Sequence, residues 1–224
     1  MPANSLVNSP ANFNESQNTP ILLGTGNPSK QETLVWLLEG LPLTLASPSQ
    51  LGLSDPPEEH GGTHQEIAND KALAWSQSGS MLAIASDGGL VLPALGDAWE
   101  SRYTHRFAGP SATNAQRVER LLELMEPFHG EQRQATWVEA VAIAHRGEIL
   151  ASWELKGARG VIADIPSTMP GIDGFWAFSL WRFPALGKTY DQLTQEEREG
   201  LDDHWAQLRT KVQEFFRRKW MQDQ

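Results

Sequence analysis

Three observations predict an α/β fold. The stretch Ile21–Lys30, ILLGTGNPSK, reads as a short buried strand, a tight turn and the start of a helix. After it, short apolar runs alternate with segments whose apolar residues recur at helical spacing. Further on, Gln134–Ala144 and Glu148–Lys156 read as two long strands joined at His145-Arg146-Gly147, a hairpin that carries the chain across a longer sheet.

In the first unit, Ile21–Leu23 is the strand, and Gly24 and Gly26 supply a turn that admits close backbone approach. Asn27 is a good N-cap and Pro28 a good first helical residue, with Leu34, Leu37, Leu38 and Leu41 as the apolar face. A helix N-terminus offers unpaired N–H groups and a positive dipole end, and Lys30 adds a point charge. The turn suits either a phosphate or an ordinary strand-to-helix connection; it lacks the Walker spacing. Leu43–Ala46 is a second short strand, and 47–62 a loop. Thr63 and Glu66 form a capping box for a helix running to about Gly79, which carries Ile67, Ala68, Lys71, Ala72 and Trp75. Glu58, Glu59 and Glu66 cluster at its start, where carboxylates complement the dipole or ligate a hard divalent ion.

Met81–Ala85 is a strand that ends in Ser86-Asp87-Gly88-Gly89-Leu90. An aspartate at the carboxyl end of a buried strand is placed where open α/β sheets gather ligands; an Asp-Gly turn with a solvated aspartate is the plainer alternative. Arg102 and Arg106 follow in an irregular stretch, suited to gripping a phosphate or to surface ion pairs. Residues 112–126 have helical spacing at Val118, Leu121, Leu122 and Met125. Gly157–Ile162 is short and extended, and 163–174 a loop. Phe175–Phe183, FWAFSLWRF, is a strand crowded with aromatics that serve as core or stack on a base. Thr194 and Glu197 form another capping box, and a helix from about Asp203 to Trp220 follows.

The 224 residues carry a formal net charge of -10 and a pI of about 5.0. That balance argues against a nucleic-acid polymer or an anionic membrane as main partner, though not against a nucleotide. There are no cysteines, so disulfides and thiolate metal sites are excluded. No apolar run reaches transmembrane length. Residues 1–19 are rich in Asn, Ser and Pro, lack the plan of a signal peptide, and read as a disordered leader. With no targeting signal, the expected location is cytoplasmic. The nine tryptophans suit a binding cavity or an interface.

Taken in order, Thr25-Gly26-Asn27-x-x-Lys30, Glu58-Glu59, Thr63-x-x-Glu66-x-Ala68-x-x-Lys71-Ala72, Ala85-x-Asp87-x-Gly89-Leu90, Ser101-Arg102-Tyr103, Gly187-Lys188-Thr189 and Leu193-Thr194-x-Glu196-Glu197 resemble the inosine triphosphate pyrophosphatase family. The resemblance runs collinearly from residue 20 to about 210. It implies one domain over 20–224, an elongated mixed sheet flanked by helices in two lobes with a central cleft, and a homodimer. It implies Mg²⁺-dependent cleavage of non-standard purine nucleoside triphosphates to monophosphate and pyrophosphate. By the same resemblance, Thr25, Gly26, Asn27 and Lys30 hold the triphosphate, Arg102 lies near the phosphates, Glu58 or Glu59 takes part in metal binding, and Asp87 activates water or binds the metal.

The departures from the family are equally specific. Its strand-end motif has two acidic residues; here the first is Ser86. Its Gly-Phe-Gly-Tyr-Asp-Pro becomes Gly174-Phe175-Trp176-Ala177-Phe178-Ser179, and its Ser-His-Arg after a lysine becomes Asp202-Asp203-His204-Trp205 after Arg198. Those family residues recognise the purine. Gly174, Phe175, Trp176, Phe178 and His204 are therefore the expected substrate-binding positions of a rewritten base site. The sequence thus predicts a triphosphate pyrophosphatase with altered base preference; the alternative is a nucleotide-binding or regulatory homologue with weak or no catalysis.

Overall fold

The computed structural model describes residues 19–53, 60–167, 175–201 and 203–221. Glu58, Glu59, Gly174 and nearly all of the leader lie outside them. Thr19, assigned above to the leader, is the first residue of a strand.

Among the described residues eight strands form one open mixed sheet. They are β1 (Thr19–Leu23), β2 (Leu43–Ala46), β3 (Leu82–Val91), β4 (Gln134–His145), β5 (Glu148–Lys156), β6 (Gly160–Ile162), β7 (Trp181–Phe183) and β8 (Lys188–Thr189). The order is β2-β1-β3-β4-β6-β7-β8, with β5 also paired to β4. The β2-β1-β3 part is parallel and everything beyond β3 antiparallel. Among the described residues five α-helices flank the sheet: α1 (Pro28–Leu38), α2 (His64–Ser78), α3 (Asn114–Met125), α4 (Gln195–Gly200) and α5 (His204–Met221). The hairpin between β4 and β5 closes with Arg146 and Gly147 both left-handed, φ 52° and 81°, the two-residue turn whose twist matches antiparallel strands.

The expected strand Met81–Ala85 is longer than its apolar run. It continues through Asp87, Gly88 and Gly89 to Val91, because β4 supplies an unbroken antiparallel partner to every residue from Ala83 on. Two glycines that look like a turn in sequence stay extended here. Asp87 nonetheless lies beyond its parallel neighbour, since Leu23, the last residue of β1, pairs with Ile84.

The expected strand Phe175–Phe183 divides. Trp176–Ser179 form a 3-10 turn and only Trp181–Phe183 are extended. In a 3-10 turn side chains three residues apart eclipse one another. The rings of Phe175 and Phe178 stack accordingly, 4.9 Å apart at an interplanar angle of 11°. A run of four buried residues, Trp176 to Ser179, reflects aromatic packing on all sides rather than two-residue alternation.

The two faces of the sheet differ. One carries the large core, where Leu34, Leu37, Leu121, Trp137, Phe178 and Trp181 meet α1, α3 and α5. The other receives α2 through alanines: Ala68 and Ala72 against Ala85, Ala140, Ala142 and Ala144. Small residues on both sides let α2 lie close to β3, which brings its polar side chains within reach of Asp87.

Candidate active site

The turn after β1 is fixed by its own backbone. The N–H of Gly24 donates to the carbonyl of Ile84 at 2.7 Å, and the side-chain amide Nε2 of Gln31 donates to the carbonyl of Thr25 at 2.8 Å. Asn27 caps α1, its Oδ1 accepting from the N–H of Ser29. This places Thr25, Asn27 and Lys30 on one wall of a cavity of about 270 Å³. Lys71, Asp87, Arg102, Arg106 and His105 line it too, and Trp137, Phe175 and Trp176 close its apolar side. Four cations therefore meet in one pocket of a chain whose net charge is -10.

Asp87 is held by two residues of α2 that the sequence reasoning did not choose as site residues. His64 Nδ1 lies 2.6 Å from Oδ2, and Lys71 Nζ donates to Oδ1 at 2.8 Å. The other ring nitrogen of His64, Nε2, lies 2.9 Å from the Ser101 hydroxyl, so the ring is held from both sides. The sequence signal was there. His64, Ile67, Ala68, Lys71, Ala72 and Trp75 are spaced as one helical stripe, so a histidine and a lysine sit on the face that packs inward.

Burial by itself would push the Asp87 carboxyl up. The His64 hydrogen bond and the positive charges of Lys30 and Lys71 outweigh it and bring the pKa down to about 2. His105, on the same wall, is held below its ordinary value by burial first and then by Arg117, Lys30 and Arg106. A group whose pKa is depressed on folding stabilises the fold above its unfolded value and loses that contribution as pH falls through the folded one. Stability should therefore fall between about pH 4 and pH 2 by about 2 kcal/mol on account of Asp87, and His64→Ala should shrink that loss. Urea unfolding across that range checks it; identical pH profiles for the two proteins would contradict the His64 contribution.

Arg102 lines the cavity while its guanidinium also donates to Glu100 and to the carbonyl of Gly61. Gly26 is open, with no atom within 4 Å of where a Cβ would stand, so a ligand can approach the backbone there. Phe178 does not reach this cavity. It lines a second one of about 330 Å³, with Trp36, Tyr190, Arg198, Asp203 and Trp205; Phe175 borders both. His204, expected as a substrate contact, is completely buried and lines neither cavity. It is enclosed by Trp181, Tyr190 and Trp205, and burial lowers its pKa to about 3, so it is neutral. Its neighbours Asp203 and Trp205 take the cavity wall instead.

The Ham1 family model matches residues 21–211, a span that contains the turn, α2, Asp87 and both cavities. The chain belongs to the Ham1 family. The resemblance drawn from the ordered motifs is thereby borne out. Among relatives, a dITP/XTP pyrophosphatase from Yersinia pseudotuberculosis is 34% identical over 190 residues, covering 84% of this chain and 94% of its own. One from Escherichia coli K12 is 32% identical over the same shares. A HAM1 protein from Coxiella burnetii superposes with a TM-score of 0.72 at 28% identity, covering 88% of this chain and 99% of that one. In this Ham1-family chain the second cavity carries Trp205 and Arg198.

Proposed function

We infer that this Ham1-family chain hydrolyses nucleoside triphosphates between the α- and β-phosphates, releasing a monophosphate and pyrophosphate. The observation that carries the reading is the convergence of Lys30, Lys71, Arg102 and Arg106 on one cavity with an ionised, doubly held carboxylate. The relatives named as dITP/XTP pyrophosphatases support it.

Phosphoanhydride cleavage is mostly positioning and charge neutralisation. The Thr25–Asn27 turn and Lys30 grip the phosphate chain, and the arginines offset charge further along it. Asp87 is too weak a base, at a pKa of about 2, to take a proton efficiently near neutrality. Its task is instead to stay charged and fixed, orienting the attacking water or holding a cation.

The donor set suits Mg²⁺, the ion the resemblance implies. A carboxylate offers about four lone-pair sites, of which His64 and Lys71 take two, and Mg²⁺ prefers one or two carboxylates plus substrate phosphates. Asp87, with Glu58 or Glu59, would hold it, and when bound it neutralises phosphate charge and acidifies a coordinated water.

The base extends along Phe175 into the second cavity. There Arg198 lies over the Tyr190 ring at 4.9 Å with its buried Nε unpartnered, and Asp203 accepts from the Tyr190 hydroxyl at 2.6 Å. This lining replaces the family's purine-recognition residues, so base preference differs from that of the relatives. A homodimer is the expected assembly. Among the described residues no helix is long and apolar enough to cross a membrane. A panel of nucleoside triphosphates with Mg²⁺, assayed for pyrophosphate, tests the reading. Turnover with an order of preference unlike dITP and XTP is expected. Binding without turnover across the panel would favour the nucleotide-binding alternative, which Ser86 supports.

A further inference from the structure

Glu139 is a buried acid that the site described so far does not use. It sits on β4 opposite Gly88, on the face that carries Trp137, and has no exposed surface. Its Oε2 accepts from the Trp137 indole N–H at 2.8 Å. Its Oε1 accepts no hydrogen bond of normal geometry, and the Ser86 hydroxyl makes only a lesser contact with the carboxylate. A buried carboxylate oxygen left unpaired is costly and calls for a ligand or a cation.

Glu139 does not itself line the cavity; it stands behind Gly88, which does. A Cβ on Gly88, which lines that cavity, would stand 1.9 Å from Glu139 Oε2, so the acid occupies the space a side chain at 88 would fill. The Ser86 hydroxyl is beside it, and among charged groups Lys30 acts on it most strongly, followed by Asp87. Burial pushes its carboxyl above the ordinary range, opposed by Lys30 and by the Trp137 hydrogen bond. The missing acid of the strand-end motif, the absent side chain at 88 and the extra acid on β4 thus fall on one spot.

We propose that Glu139 supplies the cation-site carboxylate that the strand-end motif lacks here: it reaches across from β4 through the gap at Gly88, stands where Ser86 leaves the family's acidic residue missing, and ligates the divalent ion together with Asp87. Two carboxylates and substrate phosphates form a sufficient set for Mg²⁺. The proposal rests on the cation-assisted reading above and makes Ser86 a relocated acid rather than a lost one.

Mn²⁺ serves as the probe, with affinity measured by titration calorimetry and by its paramagnetic signal, on protein without nucleotide. Glu139→Gln keeps the shape and an acceptor for Trp137; it should weaken Mn²⁺ binding by at least about tenfold, the scale on which even supporting groups of metal sites act. The double substitution Glu139→Ala with Ser86→Asp returns the acid to β3 and should recover most of that affinity. In the unmutated protein the Trp137 indole resonance, bonded to the same carboxylate, should broaden at low Mn²⁺. Wild-type affinity in folded Glu139→Gln, or a Trp137 resonance untouched by bound Mn²⁺, would overturn the proposal. Should the wild type cleave no nucleotide while Mn²⁺ affinity falls and is rescued as stated, the cation site stands and the activity fails. Turnover with Mn²⁺ affinity indifferent to Glu139 gives the reverse.

Discussion

Asp87→Asn is expected to abolish pyrophosphate release while leaving a folded protein. The substitution keeps the shape of the side chain but removes the charge that His64, Lys71 and Lys30 together hold in place. An amide binds a divalent ion poorly and presents an N–H₂ to one of two partners that both arrive as donors. Turnover should fall by a factor of about 10³ or more, in line with losing an electrostatic group used throughout the reaction. The fold should survive, at a cost of about 2 kcal/mol, because α2 is also anchored by its alanine interface and its capping box. Pyrophosphate release and thermal unfolding measured on the same preparation check both halves. Normal turnover in the variant would remove Asp87 from the mechanism.

Lys30→Met should act on the substrate rather than on the protein. Lys30 is on the first turn of α1 and lines the cavity, and it contributes to lowering the Asp87 carboxyl from across that space. Methionine keeps the length and apolar stem and deletes only the charge. A charge-assisted contact to phosphate in a partly enclosed site is worth about 2–3 kcal/mol, so kcat/KM should drop by about 30- to 150-fold. If Lys30 grips the phosphates in the ground state the loss falls on KM; if it meets charge that develops only during cleavage the loss falls on kcat. Urea stability should change little, because the repulsion removed from a cluster of four cations offsets the attraction to Asp87 that is lost. A variant with unaltered kinetic constants would contradict the assignment of the turn as the phosphate grip.

Much of this was readable before any coordinates. Capping boxes at Thr63 and Thr194, the Asn27–Pro28 helix start and the Arg146-Gly147 turn are local signals, and local chemistry decides them. The short strands β1 and β2 and the long hairpin follow from apolar runs and alternation. What was not readable depended on partners distant in sequence. Gly88 and Gly89 look like a turn until β4 is known to pair with them. Phe175–Phe183 looks like a strand until the i,i+3 stacking of two rings is seen. His204 has the right type for a base contact, and only the packing of Trp181, Tyr190 and Trp205 encloses it. Glu139 is one residue in an apolar strand, and its meaning appears when β4 lies against Ser86 and Gly88.

The central claim is that this cavity breaks the bond between the α- and β-phosphates. Phosphorus NMR of a nucleoside triphosphate incubated with the protein and Mg²⁺ tests it most directly. The prediction is a monophosphate and intact pyrophosphate as the sole products, lost in Asp87→Asn. Diphosphate and orthophosphate as the products, or an unchanged triphosphate for every nucleotide that binds, would contradict it.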